Sequence, residues 1–486
     1  MKKTILVIDT GSSSMRGILF DLQGHILFVN QIKYTMIVGA DGSAVMDAEV
    51  FGHCLRDICR KAAGEIREKG FDLQAVALDS QRSSVLAVDE NVQPLAPILM
   101  WYDKRCADIC TGFSRERLRV IYETCGMRLT PVSSAPKMLW LKRNCPEIYA
   151  AAYKLIGIHD YLLYTLTGCL VTDATCACRT ALMDIRSFDW SEELLSIFEI
   201  ERDKLCPILP PGSVVGELTD AFCAETGLPR VQVISAGGDQ QCCLLGQGKL
   251  QEGTISVNSG SASYLSIPIA SPAADSRMEV NISAYYGAHP WILEAANMGS
   301  GTLYQWFNRS FYHDGQDKKD TARINEEAAA QPSGCDGLIC FADFAGRGCP
   351  DTDPNARGLF WNVGLQHSRG AFARAILEGI CFDIYACIAH MRDLGVPIHT
   401  IRSTGGLTKF PVFNQILADI TGMEVRVSDC PEATATGAFY AALEALGYFG
   451  ETLAAQPEQV YRPEPKAHGI YLGILRKREE IGKKRK

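Results

Sequence analysis

The chain has 486 residues, of which 47% are hydrophobic and 21% are charged, and its formal net charge is -8. This length exceeds one ordinary core and predicts two or three domains, while the composition excludes a disordered chain. The acidic balance provides no basic surface for nucleic acid, so the expected partner is a small molecule.

Targeting and cysteine patterns predict a cytoplasmic protein. Lys2 and Lys3 precede an apolar run, but Asp9 interrupts it too early for a secretory signal. No apolar stretch is long enough to cross a bilayer, so no membrane partner is expected. The 19 cysteines include no C-x-x-C pair. We therefore expect reduced thiols packed as small hydrophobic residues rather than disulfides or zinc ligands.

The first predicted element is a β-hairpin over residues 5–21, ILVIDTGSSSMRGILFD. Two apolar runs flank a Gly/Ser turn, a pattern typical of paired strands, and an ordinary hairpin would also explain it. Glycine lets the backbone approach a ligand, serine hydroxyl and N–H groups suit phosphate oxygens, and an arginine would add a cation. Asp9, at the strand end, is placed to hold a hydrated Mg²⁺. The candidate phosphate-binding residues are Gly11, Ser12, Ser13 and Arg16.

A strand at 25–34 and a helix at 47–69 follow the hairpin. Asp47 is a candidate N-cap, apolar residues recur on a helical period, and Gly70 ends the helix. A short buried strand at 75–78 comes next. This order of strand, helix and strand indicates α/β layering.

Polar residues follow that strand directly, where open α/β sheets place ligands. Gln81 and Arg82 could hydrogen-bond hydroxyl groups of a substrate. Trp101 could supply an apolar face for a sugar ring, and Asp103 an acceptor for paired hydroxyls. The structural alternative is a surface salt bridge between Arg82 and Asp103, with Trp101 in the core.

The paired glycines Gly237 and Gly238 follow a predicted strand at 231–235 and precede Asp239 and Gln240. A carboxylate in so tight a turn has little steric cover and can reach a bound hydroxyl. Phosphoryl transfer to an alcohol needs that hydroxyl's proton accepted. We therefore predict Asp239 as the general base and Gln240 as a substrate contact beside it. The alternative role for Asp239 is that of a helix N-cap.

The second half of the chain repeats the opening pattern. Residues 254–265, TISVNSGSASYL, again give a strand, a Gly/Ser turn and a strand. Gly301 opens a predicted helix and suits close approach by a nucleotide. Gly405 and Gly406 follow a strand at 400–403, where two glycines permit an adenine to lie against the backbone.

In their order and spacing these motifs resemble the FGGY family of carbohydrate kinases, relatives of actin, Hsp70 and hexokinase. The matching blocks begin at Asp9 (DTGSSSMR), Pro136 (PKMLWLKRN), His159 (HDY), Thr172 (TD) and Gly237 (GGDQ). The resemblance covers nearly the entire chain. It implies an α/β fold of two actin-like ATPase (ribonuclease H-like) domains around a central cleft, with ATP and Mg²⁺ on one side and a sugar on the other.

The resemblance also implies domains and site residues. We expect an N-terminal domain at 1–247 with the sugar site, the first phosphate loop and the base, a C-terminal nucleotide-binding domain at 248–460, and a C-terminal tail at 461–486. The end of this tail, from Arg476 to Lys486, is expected to be solvated and frayed. Mg²⁺ is expected between Asp9 and Asp239. The implied ATP-binding residues of the second half are Gly260, Ser261, Gly301, Gln305, Gly405 and Gly406.

The implied activity is ATP-dependent phosphorylation of a terminal hydroxyl on a small sugar or polyol. The W-x-D-x-R pattern at Trp101 is common among family members acting on ketopentoses, so a ketopentose such as xylulose is the first expectation. Glycerol or another polyol is the alternative, although Val132 stands where glycerol kinases carry a tyrosine. An actin- or Hsp70-like ATPase or a sugar-sensing pseudokinase is the alternative of another class. Family members often form dimers, so a homodimer is expected.

Overall fold

The computed structural model describes residues 1–248, 250, 252–312, 321–428, 432–448 and 458–485. The strands, in chain order, are β1 Lys3–Thr10, β2 Ser14–Asp21, β3 Ile26–Lys33, β4 Ile37–Val38, β5 Ala44–Met46, β6 Asp72–Ser80, β7 Leu86–Val88, β8 Ile98–Leu99, β9 Lys154–Ile156, β10 Thr172–Asp173, β11 Met183–Asp184, β12 Asp189–Trp190, β13 Ile208–Leu209, β14 Val214–Glu217, β15 Gln232–Gly238, β16 Thr254–Ser259, β17 Ser263–Ile269, β18 Asn281–Ala284, β19 Trp291–Asn297, β20 Ile339–Phe341, β21 Leu359–Trp361, β22 Thr400–Thr404, β23 Glu424–Ser428 and β24 Glu458–Tyr461.

The helices, again in chain order, are α1 Ala48–Lys69, α2 Ala107–Thr111, α3 Arg115–Cys125, α4 Ser134–Asn144, α5 Pro146–Ala151, α6 Ile158–Thr167, α7 Ala174–Ala177, α8 Glu192–Phe198, α9 Asp220–Thr226, α10 Asp239–Gly246, α11 Gly301–Phe311, α12 Ala322–Ala329, α13 Arg369–Asp393, α14 Pro411–Thr421, α15 Ala433–Ala445 and α16 Pro465–Arg485.

Two large sheets form the framework, one in each half of the chain. The first has the order β14-β15-β6-β1-β2-β3, and the second has the order β18-β19-β17-β16-β22-β23-β24. In the first, β1, β2 and β3 form an antiparallel meander, and β6 and β15 extend it in parallel beyond β1. In the second, β16, β17 and β19 form the meander, and β22 and β23 extend it in parallel. The same arrangement therefore occurs twice, which confirms the predicted α/β class and the repeated hairpin.

The predicted N-terminal hairpin is present as β1 and β2. Residues 5–8 of β1 are fully buried because the sheet is covered on both faces. The register places Asp9 opposite Arg16 on β2 and beside Asp79 on β6. Asp79 in turn lies beside Gly237 on β15. The carboxyl ends of β1, β6 and β15 thus lie side by side at one edge of the sheet.

Helix α1 covers one face of this sheet and has the boundaries that its caps predict. The side chain of Asp47 accepts a hydrogen bond from the N–H of Glu49, which satisfies a donor of the first turn. Gly70 ends the helix in the left-handed region, with φ 65°.

Helix α15, from the second half of the chain, covers the opposite face of the first sheet. Phe439 stacks on Phe20 of β2 with ring centroids 4.8 Å apart. The same helix crosses α10 closely, since a Cβ at Gly437 would lie 1.8 Å from the carbonyl oxygen of Cys242. Only glycine fits at that crossing, which joins the two halves next to the start of α10.

The frayed tail expected at the C-terminus is wrong for the described residues, because α16 packs on the second half. Tyr471 is fully buried and donates a hydrogen bond to Glu378 at 2.7 Å. Arg478 pairs with Asp383 at 2.8 Å. The charged sequence of this segment does not indicate such packing, because the partners Glu378 and Asp383 lie on α13, far away in the chain. Lys486 lies outside the described residues.

Most of the described cysteines are buried, as expected for thiols that pack as small hydrophobic residues, and none of those described forms a disulfide. Cys430 lies outside the described residues. Within the described ranges, none of the helices has both the length and the apolar character needed to cross a bilayer.

Candidate active site

Asp239 is the first residue of α10 and directly follows the tight turn at the end of β15. Gly237 has φ 100°, and a Cβ there would lie 2.4 Å from Oγ1 of Thr175. A Cβ at Gly238 would lie 2.3 Å from Cδ of Arg82. Both neighbours can therefore approach this turn only because it consists of glycine. Gly238 is the N-cap of α10, so Asp239 does not take the alternative N-cap position, although its Oδ1 accepts from the N–H of Gln240 at 2.7 Å.

Arg82 and Asp239 form an ion pair across the ends of two parallel strands. Nε of Arg82 lies 3.4 Å from Oδ1 of Asp239, and Nη1 donates to Oε1 of Gln241 at 2.9 Å. Burial raises the pKa of the Asp239 carboxyl, while the charge of Arg82 opposes that rise. A raised pKa moves a carboxylate toward the range in which it accepts protons effectively at neutral pH. The alternative of a salt bridge between Arg82 and Asp103 is not what the structure shows.

Gln240 is exposed and lines a cleft of about 530 Å³. The same cleft is also lined by Gly260 and Ser261 of the second Gly/Ser turn and by Thr302 of α11. Residues from both halves therefore meet across one opening. The predicted substrate contact of Gln240 stays a prediction, and the glutamine beside Arg82 is Gln241.

A buried hydrogen-bond network supports the turn before Asp239. Asp173 accepts from the hydroxyls of Thr175 and Ser235, and His159 contacts Ser235 at 2.7 Å. Oγ1 of Thr175 accepts from the N–H of Gly238 at 2.8 Å. His159, Asp173 and Cys176 also have metal-ligand atoms within 4.8 Å of one another. Because Asp173 already accepts protein donors and burial keeps the pKa of the Cys176 thiol well above its usual value, we interpret the group as structural.

Asp9, Asp79 and Asp239 bring three carboxylates to the edge formed by β1, β6 and β15. Burial and the nearby charge of Asp239 raise the pKa of Asp9 to about 6, although Arg16 lowers it. Carboxylate oxygens in a partly dehydrated site are the donors that a hard cation such as Mg²⁺ requires. The residues present therefore fit the predicted Mg²⁺, with Asp9 and Asp239 as its expected neighbours.

The first Gly/Ser turn lies between β1 and β2, as predicted, next to Trp101. The indole Nε1 of Trp101 donates to Oγ of Ser12 at 2.8 Å. The carbonyl of Gly11 accepts from the Tyr34 hydroxyl at 2.6 Å, which braces the turn, and Ser13 is exposed. The candidate apolar surface at Trp101 is thus joined directly to the candidate phosphate loop.

Arg16 lies on β2 and pairs with Glu432, at the start of α15, at 2.6 Å. Both side chains are partly exposed, at 34% and 25%. The ion pair links the first Gly/Ser turn to the second half of the chain. Contact between Arg16 and phosphate stays a prediction.

Asp103 and Gln81 are buried, and both carry protein contacts. Asp103 is bound by Arg105 at 2.6 Å and accepts from the N–H of Ala44 at 3.0 Å. Oε1 of Gln81 accepts from Ser84, but Nε2 of Gln81 has no partner among the described residues. Gln81 therefore retains a free donor, whereas the carboxylate of Asp103 is largely occupied. Their predicted contacts with substrate stay predictions.

The second Gly/Ser turn lies on the start of α11. The N–H of Gly301 donates to the carbonyl of Gly260 at 3.0 Å, and a Cβ at Gly301 would lie 2.3 Å from that oxygen. Thr302 bonds to the carbonyl of Ser261 at 3.0 Å. The remaining candidate nucleotide contacts are exposed, namely Gln305, Gly405 and Gly406. Their contact with ATP stays a prediction.

Similarity to known protein families identifies the class of this protein, a phosphotransferase with an alcohol group as acceptor. The model of the N-terminal domain of the FGGY family of carbohydrate kinases matches residues 4–246, and that of the C-terminal domain matches residues 267–446. The chain therefore belongs to the FGGY family of carbohydrate kinases. Kinases of this family use ATP as the phosphate donor. The predicted domain boundaries stay predictions.

Curated relatives match along most of the chain. Glycerol kinase 1 of Pseudomonas aeruginosa is 29% identical over 461 residues, which are 92% of this chain and 91% of the relative. Gluconokinase of Bacillus subtilis is 25% identical over 458 residues, which are 92% of this chain and 88% of the relative. Since proteins named for different substrates match to a similar extent, these similarities do not identify the acceptor.

Solved structures show the same fold. Xylulose kinase from Rhodospirillum rubrum superimposes with a TM-score of 0.92 at 22% identity, covering 98% of both chains. Gluconate kinase from Lactobacillus acidophilus gives a TM-score of 0.90 at 24% identity, covering 99% of this chain and 98% of that chain. The predicted actin-like fold of two domains is thereby confirmed.

Three groups near Asp239 were missed by sequence reasoning. Gln241 and the pair formed by Arg179 and Glu294, 3.7 Å apart, come from elements whose approach no local pattern shows. Burial and the positive charge of the neighbouring Arg82 lower the pKa of the Arg179 guanidinium. Asp79 did leave a signal, because it directly follows the strand predicted at 75–78, which the structure pairs with β1.

Proposed function

We propose that the protein transfers the γ-phosphate of ATP to a terminal hydroxyl of a small sugar, with a ketopentose such as xylulose as the first candidate. The observation that carries this proposal is the position of Asp239, paired with Arg82 at 3.4 Å. The adjacent Gln240 lines the same cleft as the turn at Gly260. The residue that follows the proposed base therefore lines the same cleft as the candidate phosphate loop, which supports the proposal.

In the proposed reaction, Asp239 accepts the proton of the substrate hydroxyl. The hydroxyl oxygen forms a bond to the γ-phosphorus as the bond from that phosphorus to the bridging oxygen breaks, and ADP leaves. Arg82 orients the carboxylate of Asp239 and is available to hydrogen-bond a substrate oxygen. Most of the remaining rate enhancement would come from positioning and from neutralising phosphate charge.

Residues on both walls have proposed roles in binding the two substrates. Mg²⁺, held near Asp9 and Asp239, would neutralise charge on the phosphates of ATP. Trp101 would pack against the sugar, because its indole lies at the first phosphate loop. The proposed contacts to ATP are Gly11, Ser12, Ser13, Arg16, Gly260, Ser261, Gly301, Gln305, Gly405 and Gly406. The proposed contacts to substrate hydroxyls are Gln81, Arg82, Asp103 and Gln240.

Glycerol or another polyol is the second candidate acceptor. It is supported by the match to a protein named glycerol kinase 1 along 92% of this chain. Val132 argues against glycerol itself, because glycerol kinases of the family carry a tyrosine at this position. The cytoplasmic location and the homodimer remain predictions from the sequence.

The deciding experiment measures ADP release with MgATP and a panel of ketopentoses, ketohexoses, tetritols, gluconate and glycerol. We expect one ketopentose to stimulate turnover, with kcat/KM highest for that sugar. A polyol that exceeds every ketopentose would replace the first candidate by the second.

The control is Asp239→Asn, which keeps the size of the side chain and removes the base. It should abolish stimulation while ATP binding, measured by calorimetry, persists. ATP hydrolysis that no acceptor on the panel enhances would contradict the proposal and favour an ATPase or a sugar-sensing pseudokinase.

A further inference from the structure

Asp79 is a buried carboxylate without a hydrogen-bond donor. Its side chain is fully buried at the end of β6. Neither Oδ1 nor Oδ2 has a hydrogen-bond partner in the described part of the chain. Leaving a buried charged group unpaired is costly, so such a group is normally protonated or bound to a cation.

The position of Asp79 limits what can neutralise it. Asp79 is the register partner of Asp9 on the adjacent parallel strand, and register partners project from the same face of a sheet. On the other side it neighbours Gly237, two residues before Asp239. Asp79 therefore lies between the two carboxylates already expected to flank Mg²⁺.

The nearby arginines do not pair with Asp79. Arg16 is engaged by Glu432 at 2.6 Å, and Arg82 by Asp239 and Gln241. The carboxyl groups of Asp79 and Asp9 lie within hydrogen-bonding reach of each other, and the carboxylate of Asp239 is close by. A hydrogen bond between Asp79 and Asp9 would require a proton on one of them, whereas a divalent cation would neutralise both at once.

We propose that Asp79 is the third carboxylate of a divalent-cation site and shares the cation with Asp9. Two carboxylates on adjacent strands supply oxygen donors of the kind that Mg²⁺ and Mn²⁺ take, with the remaining positions filled by water or phosphate. This assignment rests on the proposed kinase function for its purpose, since the cation would serve ATP. Its test measures cation binding alone and does not depend on kinase activity.

The test is a titration of the full-length protein with Mn²⁺, in which free Mn²⁺ is measured by electron paramagnetic resonance. The native protein and Asp79→Asn are compared without sugar, first alone and then with ADP. We expect Asp79→Asn to weaken Mn²⁺ binding about 10- to 100-fold in both conditions.

The substitution also distinguishes the cation from a proton. An asparagine can donate a hydrogen bond to Asp9 as a protonated Asp79 would. Unchanged Mn²⁺ affinity in a folded Asp79→Asn variant would therefore overturn the assignment and show that Asp79 carries a proton. If that variant does not fold, the same titration on Asp79→Thr decides, because threonine occupies the corresponding strand end of the second sheet at Thr404.

Asp21→Asn is the matched control. Asp21 is a buried carboxylate of the same sheet, at the far end of β2, where it pairs with Lys2 at 2.9 Å. Its substitution should leave Mn²⁺ affinity unchanged. Because the titration contains no acceptor, failure of the sugar panel would leave its result intact. If a sugar on the panel stimulates turnover but Asp79→Asn leaves the Mn²⁺ affinity unchanged, the assignment of Asp79 is rejected and the proposed kinase function stands.

Discussion

The carboxyl edges of the two sheets differ in charge although their strands are arranged alike. In the first sheet Asp9 is paired in register with Asp79, and in the second Asn258 is paired with Thr404. Asp9 and Asn258 occupy equivalent places, each two residues before the glycine of its turn. One edge is therefore acidic and the other neutral at the same positions of a repeated fold.

This difference suits the first edge to cation binding and proton transfer and the second edge to phosphate binding. Carboxylates on the first edge can hold a cation and accept a proton, and burial raises the pKa of Asp9 to about 6. A neutral second edge avoids repelling the phosphates of ATP, which the Gly260 turn is proposed to hold. The two turns are equivalent in the fold, and they differ chemically because Asp9 and Asp79 in the first sheet are replaced by Asn258 and Thr404 in the second.

The strongest test of the acidic edge removes its base. Asp239→Asn should lower kcat about 100- to 10,000-fold, because the substrate hydroxyl loses its proton acceptor. KM for ATP should change much less than kcat, since Asp9 remains to hold the expected Mg²⁺ and the proposed phosphate contacts lie in the two Gly/Ser turns. Steady-state kinetics with the best acceptor measure both constants. A drop in ATP affinity as large as the drop in kcat would show that the acidic edge serves ATP binding as much as proton transfer.

The converse substitution makes the neutral edge acidic. Asn258→Asp preserves shape but places a carboxylate in the wall of the cleft, beside Gly260. Repulsion of phosphate should raise KM for ATP about tenfold, a loss of about 1.4 kcal/mol. Asn258→Ser serves as the neutral control and should retain most of the ATP affinity. Equal KM values for the two variants would indicate that phosphate does not approach this edge.

Arg16 tests whether the first turn contributes to phosphate binding as well. Arg16→Gln should raise KM for ATP about tenfold if its guanidinium reaches a phosphate, the scale of a lost charged hydrogen bond. Glu432→Gln removes the partner and leaves the cation in place. It should therefore lower KM or leave it unchanged. If both variants weaken ATP binding equally, the ion pair acts by holding the two halves together.

The smallest effect is expected at Glu327, a carboxylate outside both edges. Its hydrogen bonds with Arg369 lower its pKa to about 2, the direction opposite to Asp9. A lowered pKa in the folded state stabilises the protein above the ordinary pKa of 4.5, and that contribution is lost as the pH falls toward 2.

Glu327→Gln should therefore lower the melting temperature at pH 7 by about 2 °C or less, because the pair is partly exposed and screened. The difference from the native protein should shrink as the pH falls below 4.5, as followed by circular dichroism. A difference that is constant with pH would mean that charge is not its cause.

Local sequence patterns predicted most of the framework. The two hairpins, the caps of α1 and the turn before Asp239 were all expected, because strand alternation, capping and glycine turns depend on neighbouring residues. The α16 helix was not expected, since its contacts with the second half, such as the hydrogen bond from Tyr471 to Glu378, involve residues far away in the chain.

Pairings between elements could not be predicted in the same way. Arg105 binds Asp103 within the same segment, whereas Arg82 pairs with Asp239, which is far away in the chain. Gln241 rather than Gln240 contacts Arg82, because successive residues of a helix project about 100° apart and the helix orientation was unknown.

The sequence by itself determined the family, the repeated hairpins and the candidate base Asp239, since these depend on residue type and spacing. Only the tertiary structure decided which charges meet. Asp79 acquires its significance from its register with Asp9, and Arg16 from its ion pair with Glu432. The physical reason is that burial and electrostatic pairing depend on distances in space, to which residues far apart in the chain contribute as much as neighbours.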